Sequence, residues 1–218
     1  SNFDKEAIRE AIRYAKLRNV KINFTLNTLL KNDEFEEAAE LAKYVYEEGA
    51  DAIIVQDLGL AKYLIKNFPD MEIHGSTQMS IHNLSGVKEL EALGFNRVVL
   101  SRELSMHDIE YICQNSDIEI EVFVHGALCV SYSGQCLMSS IIGGRSGNRG
   151  KCAQPCRLPY QLYREENFNN ISAGFQLKRT AAAVPVLITI IYLFSIYKSY
   201  RYPIRRRNTL QILLHPLE

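Results

Sequence analysis

Cys129, Cys136, Cys152 and Cys156 fall within 28 residues, separated by six, fifteen and three positions. The chain of 218 residues has one further cysteine, Cys113. Crowded thiols serve three chemistries: disulfide cross-links, metal or cluster ligation, and nucleophilic attack. An odd count does not close a disulfide set. The opening residues, SNFDKEAIREAIRYAKLRN, mix acids and bases and carry no apolar export core. These features point to reduced thiols and a cytoplasmic setting. Structural zinc favours tighter CxxC pairs. Iron–sulfur clusters accept thiolates at irregular spacings. Spacing alone leaves a metal or cluster, a reactive thiol and inert buried cysteines as alternatives. His125 is close enough in sequence to ligate or to act as a base beside Cys129, Ser131 or Ser133, although no GxSxG elbow is present.

Between the cysteine pairs runs GGRSGNRGK, residues 143–151. Its glycines flank Arg145, Ser146, Asn148 and Arg149. Exposed backbone N–H groups and two guanidiniums suit an anion such as phosphate. It is not a Walker A loop: Cys152 follows Lys151 where that motif requires Ser or Thr.

Such groups need a scaffold, and the first 126 residues supply a regular one. Helical periodicity is expected near the N-terminus and over 32–50, 58–69, 83–95 and 105–115. Strands are expected over 20–27, 51–57, 71–78, 96–103 and 118–126. Alternating βαβ units imply parallel strands with right-handed crossovers. No GxGxxG turn follows any strand, so the expectation is a TIM-like (β/α) barrel rather than an open doubly wound sheet. The five visible strands make it incomplete, and a Cys/Gly-rich insertion follows the fifth.

Barrel chemistry sits where strands end. The expected strand ends present Asp57, His74, Gln78, Arg102, Glu103 and His125. His125, His74, Gln78, Glu103 and Asp57 are the candidate catalytic groups. Arg102 joins Arg145, Ser146, Asn148 and Arg149 as candidate binders of substrate or anion.

Lys and Arg number 25, as do Asp and Glu, and hydrophobic residues make up 47%. Overall charge therefore argues for neither nucleic acid nor membrane. The balance hides an asymmetry: residues 167–217 contain no Asp or Glu but seven Lys and Arg. Such a shift marks a boundary. Three segments are expected: a partial barrel over 1–126, a Cys/Gly-rich segment over 127–176 and an apolar, basic tail over 177–218.

Residues 121–163, EVFVHGALCVSYSGQCLMSSIIGGRSGNRGKCAQPCRLPYQLY, resemble the signature region of peptidase family U32, the collagenase-like peptidases. LNTLL, DAIIVQDLG, IHGSTQMSIHN and RVVLSRELS resemble its barrel segments, and the resemblance covers about residues 1–176. It implies a TIM-barrel-like fold and two activities. One is iron–sulfur-dependent hydroxylation of RNA, most like the tRNA wobble-uridine branch, with prephenate as the hydroxyl source. The other is endopeptidase activity on a peptide substrate, with His125 and Glu121 or Asp57 activating water or a thiol. The resemblance gives Cys129, Cys136 and Cys152 as ligands of a four-iron cluster. The fourth is Cys156, as in a branch with a CxxxC pair, or a position beyond the SAGF segment. The family's opening strand–helix–strand unit is missing, and the tail departs from its pattern. A shifted reading frame explains that departure; a membrane span over 181–197 or a buried helix are the alternatives. A truncated, inactive barrel is the non-enzymatic reading.

Overall fold

The computed structural model describes residues 3–124, 129–164, 175–179 and 193–194. Five helix–strand repeats build the first part. Helix α1 (Lys5–Lys16) starts on Asp4, whose carboxylate accepts from Ala7 N at 2.8 Å. Its Ile8, Ile12 and Ala15 form one buried stripe. Strand β1 (Asn23–Leu26) leads to α2 (Phe35–Glu48), which buries Ala38, Ala39, Ala42 and Val45. Gly49 stops α2 in the left-handed region at φ 87°. Then come β2 (Ala52–Val55), α3 (Leu58–Asn67), β3 (Glu72–Gly75), α4 (Leu84–Leu93), β4 (Arg97–Val99), α5 (Met106–Asn115) and β5 (Glu119–Phe123). Ser105 and Asp108 close a capping box on α5.

The strands pair in parallel in the order β1-β2-β3-β4-β5. Doubly wound sheets reverse their order at a switch point. A strictly sequential order with right-handed crossovers instead puts every helix on one face, as in a barrel wall. Residues in register share a face. Phe24, Ile53 and Ile73 form one row of the helix-covered face, and Leu26, Val55, Gly75, Val98 and Ile120 form the next. All but Gly75 belong to the buried core. A Cβ on Gly75 would meet Leu90 Cδ1 at 3.0 Å, so glycine lets α4 sit close.

The opposite face carries polar and charged side chains. Its central row reads Thr25, Ile54, His74, Arg97 and Glu119. Arg97 donates to Glu119 at 2.9 and 2.6 Å and to Glu121 at 3.1 Å. Buried charges persist only when paired in this way. This row lies on the face turned away from the helices, the interior side of a barrel wall.

The barrel is not closed among the described residues. Strand β5 pairs on its outer side with β8 (Leu193–Phe194), antiparallel, matching Val122 to Phe194. After β5 come a short helix α6 (Met138–Gly143) and 3₁₀ turns at Gly147–Arg149 and Pro155–Arg157. Strands β6 (Tyr160–Arg164) and β7 (Phe175–Arg179) form a separate antiparallel pair. That ladder crosses the composition boundary expected at 176/177. Of the tail, only 177–179 and 193–194 are described. No helix among the described residues is long and apolar enough to cross a membrane. The rest of the 181–197 candidate span lies outside the described residues.

Candidate functional site

The cysteine segment folds back over the strand ends. Ser133 is the anchor: it is 1% exposed, its N donates to Glu103 Oε1 at 2.8 Å and its Oγ to the same oxygen at 3.2 Å. Arg102 Nε donates to Ser133 Oγ at 3.1 Å. Ser80 Oγ donates to Ser133 O, and Gln135 Nε2 donates to Ser80 Oγ at 3.0 Å. Gly134 has φ 73°, and a Cβ there would lie 2.3 Å from Gln78 O. Only glycine allows this approach.

This docking frames an open cavity of about 760 Å³. All four clustered cysteines line it, with Gln78, Arg102, Tyr132 and Asn148. All are free thiols. Gln154 N donates to Cys152 Sγ at 3.3 Å, a bond that strengthens with charge on sulfur. Among the described residues no three of His, Cys, Asp or Glu draw together into a single-ion cage. The four thiols that line the cavity are the residues that could hold an iron–sulfur group, whose usual ligands are Cys thiolates.

Gln78 ties the cavity to the barrel. With its amide oriented to suit its neighbours, the two N–H groups of Gln78 are within reach of three acceptors, Gln56 Oε1 at 3.1 Å, Asn27 O at 3.2 Å and Asn148 O at 3.3 Å. Gln56 Nε2 in turn donates to Gln78 O at 3.1 Å.

The other expected site residues are placed differently. Asp57 caps α3, accepting from Leu60 N at 2.9 Å and Leu30 N at 3.3 Å. Both oxygens accept from backbone N–H groups, which gives Asp57 a structural role. Asp57→Ala is expected to lower stability by about 1 kcal/mol, while Asp57→Asn retains most of it. Thermal melts of the two variants check this. Glu103 holds Ser133 and is not among the cavity-lining residues. Arg149 is held by Glu34 at 2.6 and 3.1 Å and donates to Leu29 O at 3.2 Å. It clasps the glycine loop to the segment after β1 instead of standing ready for an anion. Arg145 is exposed and its Nε donates to Lys151 O at 3.1 Å; Ser146 begins the 3₁₀ turn at Gly147. His125 lies outside the described residues. Glu121, the partner considered for it, sits within β5 and binds Arg97.

His74 is not at a strand end but within β3, 1% exposed, beside Arg97 in the interior row. Burial pushes its pKa below the ordinary histidine value, outweighing the contact with Glu72 that favours the charged form. Glu72, held by the His74 ring, falls to about 2. A neutral His74 that donates Nε2–H to Glu72 Oε2 at 3.3 Å satisfies both directions. Among the described residues its Nδ1 has no partner. The unfolded chain then takes up a proton near pH 6.5 that the folded chain refuses. Stability from this group is complete above that pH and declines as pH falls below it. His74→Gln is expected to flatten that decline, read from denaturant melts between pH 7 and 5.

Sequence reasoning missed His82, and with it Ser80 and Gln135. His82 Nδ1 donates to Ser80 O at 2.6 Å, Nε2 lies 3.3 Å from Glu103 Oε2, and the ring centroid is 5.9 Å from that of Tyr132. The Nε2–Glu103 approach has the distance of an ion pair without hydrogen-bond alignment. Ser101 Oγ is 3.4 Å from Nδ1, but that nitrogen already carries the proton given to Ser80 O, so it cannot serve as base for Ser101. The repeated pattern in STQMSIHN, polar residues directly after a strand, was the available signal.

The same segments decide the kinship. The profile of peptidase family U32 matches residues 1–197, further than the resemblance read from the motifs. This chain belongs to peptidase family U32. A U32 relative in Escherichia coli K12, the 23S rRNA 5-hydroxycytidine C2501 synthase, is 47% identical over 155 residues, covering 71% of this chain and 23% of that protein. The tRNA hydroxylation protein P of the same organism is 39% identical over 174 residues, 78% of this chain and 38% of that protein. A collagenase of Porphyromonas gingivalis is 30% identical, covering 74% and 41%. The chain thus spans less than half the length of these U32 relatives. A solved structure, that of the U32 peptidase Mk0906, superposes with a TM-score of 0.50 at 14% identity, over 56% of this chain and 53% of that one. This likeness concerns the fold alone.

Proposed function

We propose that this U32 chain forms part of an RNA hydroxylase that adds oxygen to a pyrimidine base, using a four-iron cluster on Cys129, Cys136, Cys152 and Cys156. One observation carries the reading: all four thiols line the cavity that also holds Arg102, Gln78 and Asn148. The names of the RNA-modifying relatives, the rRNA hydroxycytidine synthase and the tRNA hydroxylation protein, support the substrate class. The cluster supplies one-electron chemistry when bound. The residues of the chain do the rest. Ser133 and Glu103 hold the cysteine loop in place, Gln78 joins it to β3, and Arg102 meets anionic charge. The hydroxyl source in this reading is prephenate, whose carboxylates suit Arg102. The setting is cytoplasmic, where thiols stay reduced.

The experiment is anaerobic purification of the chain followed by incubation with tRNA and rRNA and the hydroxyl donor. A brown protein and a pyrimidine nucleoside heavier by one oxygen atom are expected. A colourless, folded protein that leaves RNA unchanged and cleaves gelatin overturns the reading in favour of proteolysis.

A further inference from the structure

The cysteine loop displays a rigid aromatic surface that nothing in the described structure covers. Tyr132 lines the cavity yet is 64% exposed. Val130, two positions earlier, also lines it and is 84% exposed. Tyr132 is held in place. The next residue is Ser133, bound through N and Oγ to Glu103, and Gly134 then presses on Gln78. Tyr132 O accepts from Gln135 N at 3.1 Å, and the ring packs beside His82 at 5.9 Å and 52°. His82 is itself fixed by Ser80 O. Tyr132 therefore has a fixed backbone, a braced ring and a broad open surface at the cavity. Leaving an aromatic side chain in water forgoes its burial energy, so a held and exposed ring at a cavity marks a binding surface.

Charge narrows the ligand. Residues 122–164 contain no Asp or Glu and five basic side chains, Arg145, Arg149, Lys151, Arg157 and Arg164. Glu34 neutralises one of them, Arg149. Arg102 lines the cavity and, among the described residues, is bonded through its Nε and backbone N to Ser133. A π surface beside cationic groups in an acid-free segment is the combination that binds single-stranded nucleic acid: bases stack on the ring and phosphates meet the cations. Enzymes that modify a base must also take it out of its helix, which requires a platform to receive it.

We infer that Tyr132 is the stacking platform for an extruded base of a single-stranded RNA segment, with Arg102 meeting the adjacent phosphate. The inference rests on the proposed RNA reading and adds the residue that grips the base. Stacking requires the ring, not the hydroxyl, so Tyr132→Phe keeps binding and Tyr132→Leu loses it.

The test measures fluorescence anisotropy of a short pyrimidine-rich RNA, single-stranded and as a duplex, with wild type, Tyr132→Phe and Tyr132→Leu. The leucine variant should bind the single strand roughly five- to hundredfold more weakly. The phenylalanine variant should match wild type, and the duplex should discriminate little among the three. The visible spectrum and melting temperature of the leucine variant should stay those of wild type, since the side chain is largely exposed. Equal single-strand affinity for leucine and tyrosine overturns the platform while RNA binding stands. A wild-type protein that binds neither RNA overturns the RNA reading together with the platform.

Discussion

Gly134→Ala is expected to release the cysteine loop from the barrel and, on the proposed RNA-hydroxylase reading, to reduce activity by about a hundredfold or more. The strain has two sources. The backbone sits at φ 73°, and the new methyl would lie 2.3 Å from Gln78 O and 3.0 Å from Gln78 C and Cα. Those neighbours are backbone following β3 and cannot swing aside as a flexible side chain does. Strain of this kind costs about 1–3 kcal/mol before overlap is counted. The opposing hold is a small set of hydrogen bonds centred on Ser133, each worth about 1 kcal/mol net. The loop is the weaker partner, so it moves. None of the core residues lies in it, and the five-stranded unit should keep its helical circular dichroism. Limited proteolysis should open cleavage within residues 129–137. A variant with wild-type hydroxylation and protection would show that the approach of Gly134 to Gln78 does not position the cavity.

If the proposed cluster and activity are correct, Cys136→Ala should abolish the visible chromophore and bring hydroxylation to background, a loss beyond the roughly 10–100-fold typical of changing a residue that merely supports a metal ligand. Cys129→Ala and Cys152→Ala should behave alike, because ligands of one group fail together. Cys113→Ala is the control: this thiol is on α5, packs against the core and does not line the cavity. Cys156→Ala decides the fourth ligand. Iron analysis and visible absorption of anaerobic protein read all five variants. Undiminished colour and iron in Cys129→Ala, Cys136→Ala and Cys152→Ala would sink the cluster assignment.

Much of the scaffold was legible because helix and strand signals are local. Ile8, Ile12 and Ala15 recur at helical spacing, and Gly49 and Gly94 end α2 and α4 where expected. Strand order followed from alternation, since short connections leave few topologies. Strand ends were less legible. The reading to residue 78 placed His74 at a strand mouth, whereas β3 ends at Gly75 and a 3₁₀ turn follows. A register position decides whether a side chain faces helices, interior or loop, and a shift of one residue reverses it.

The sequence by itself determined the α/β alternation, the four clustered thiols and the resemblance to peptidase family U32. Only the tertiary structure decided what the thiols surround and which polar groups are already committed. Asp57 looked like a base and is a cap. Arg149 looked like an anion site and is joined to Glu34 across 115 positions of chain. Ser133 looked like one serine among several and is the anchor on Glu103, 30 positions earlier. Local patterns repeat every two to four residues and can be read along a chain. Contacts between distant segments depend on how parallel strands register and how a loop meets their ends, and no spacing in the sequence records that.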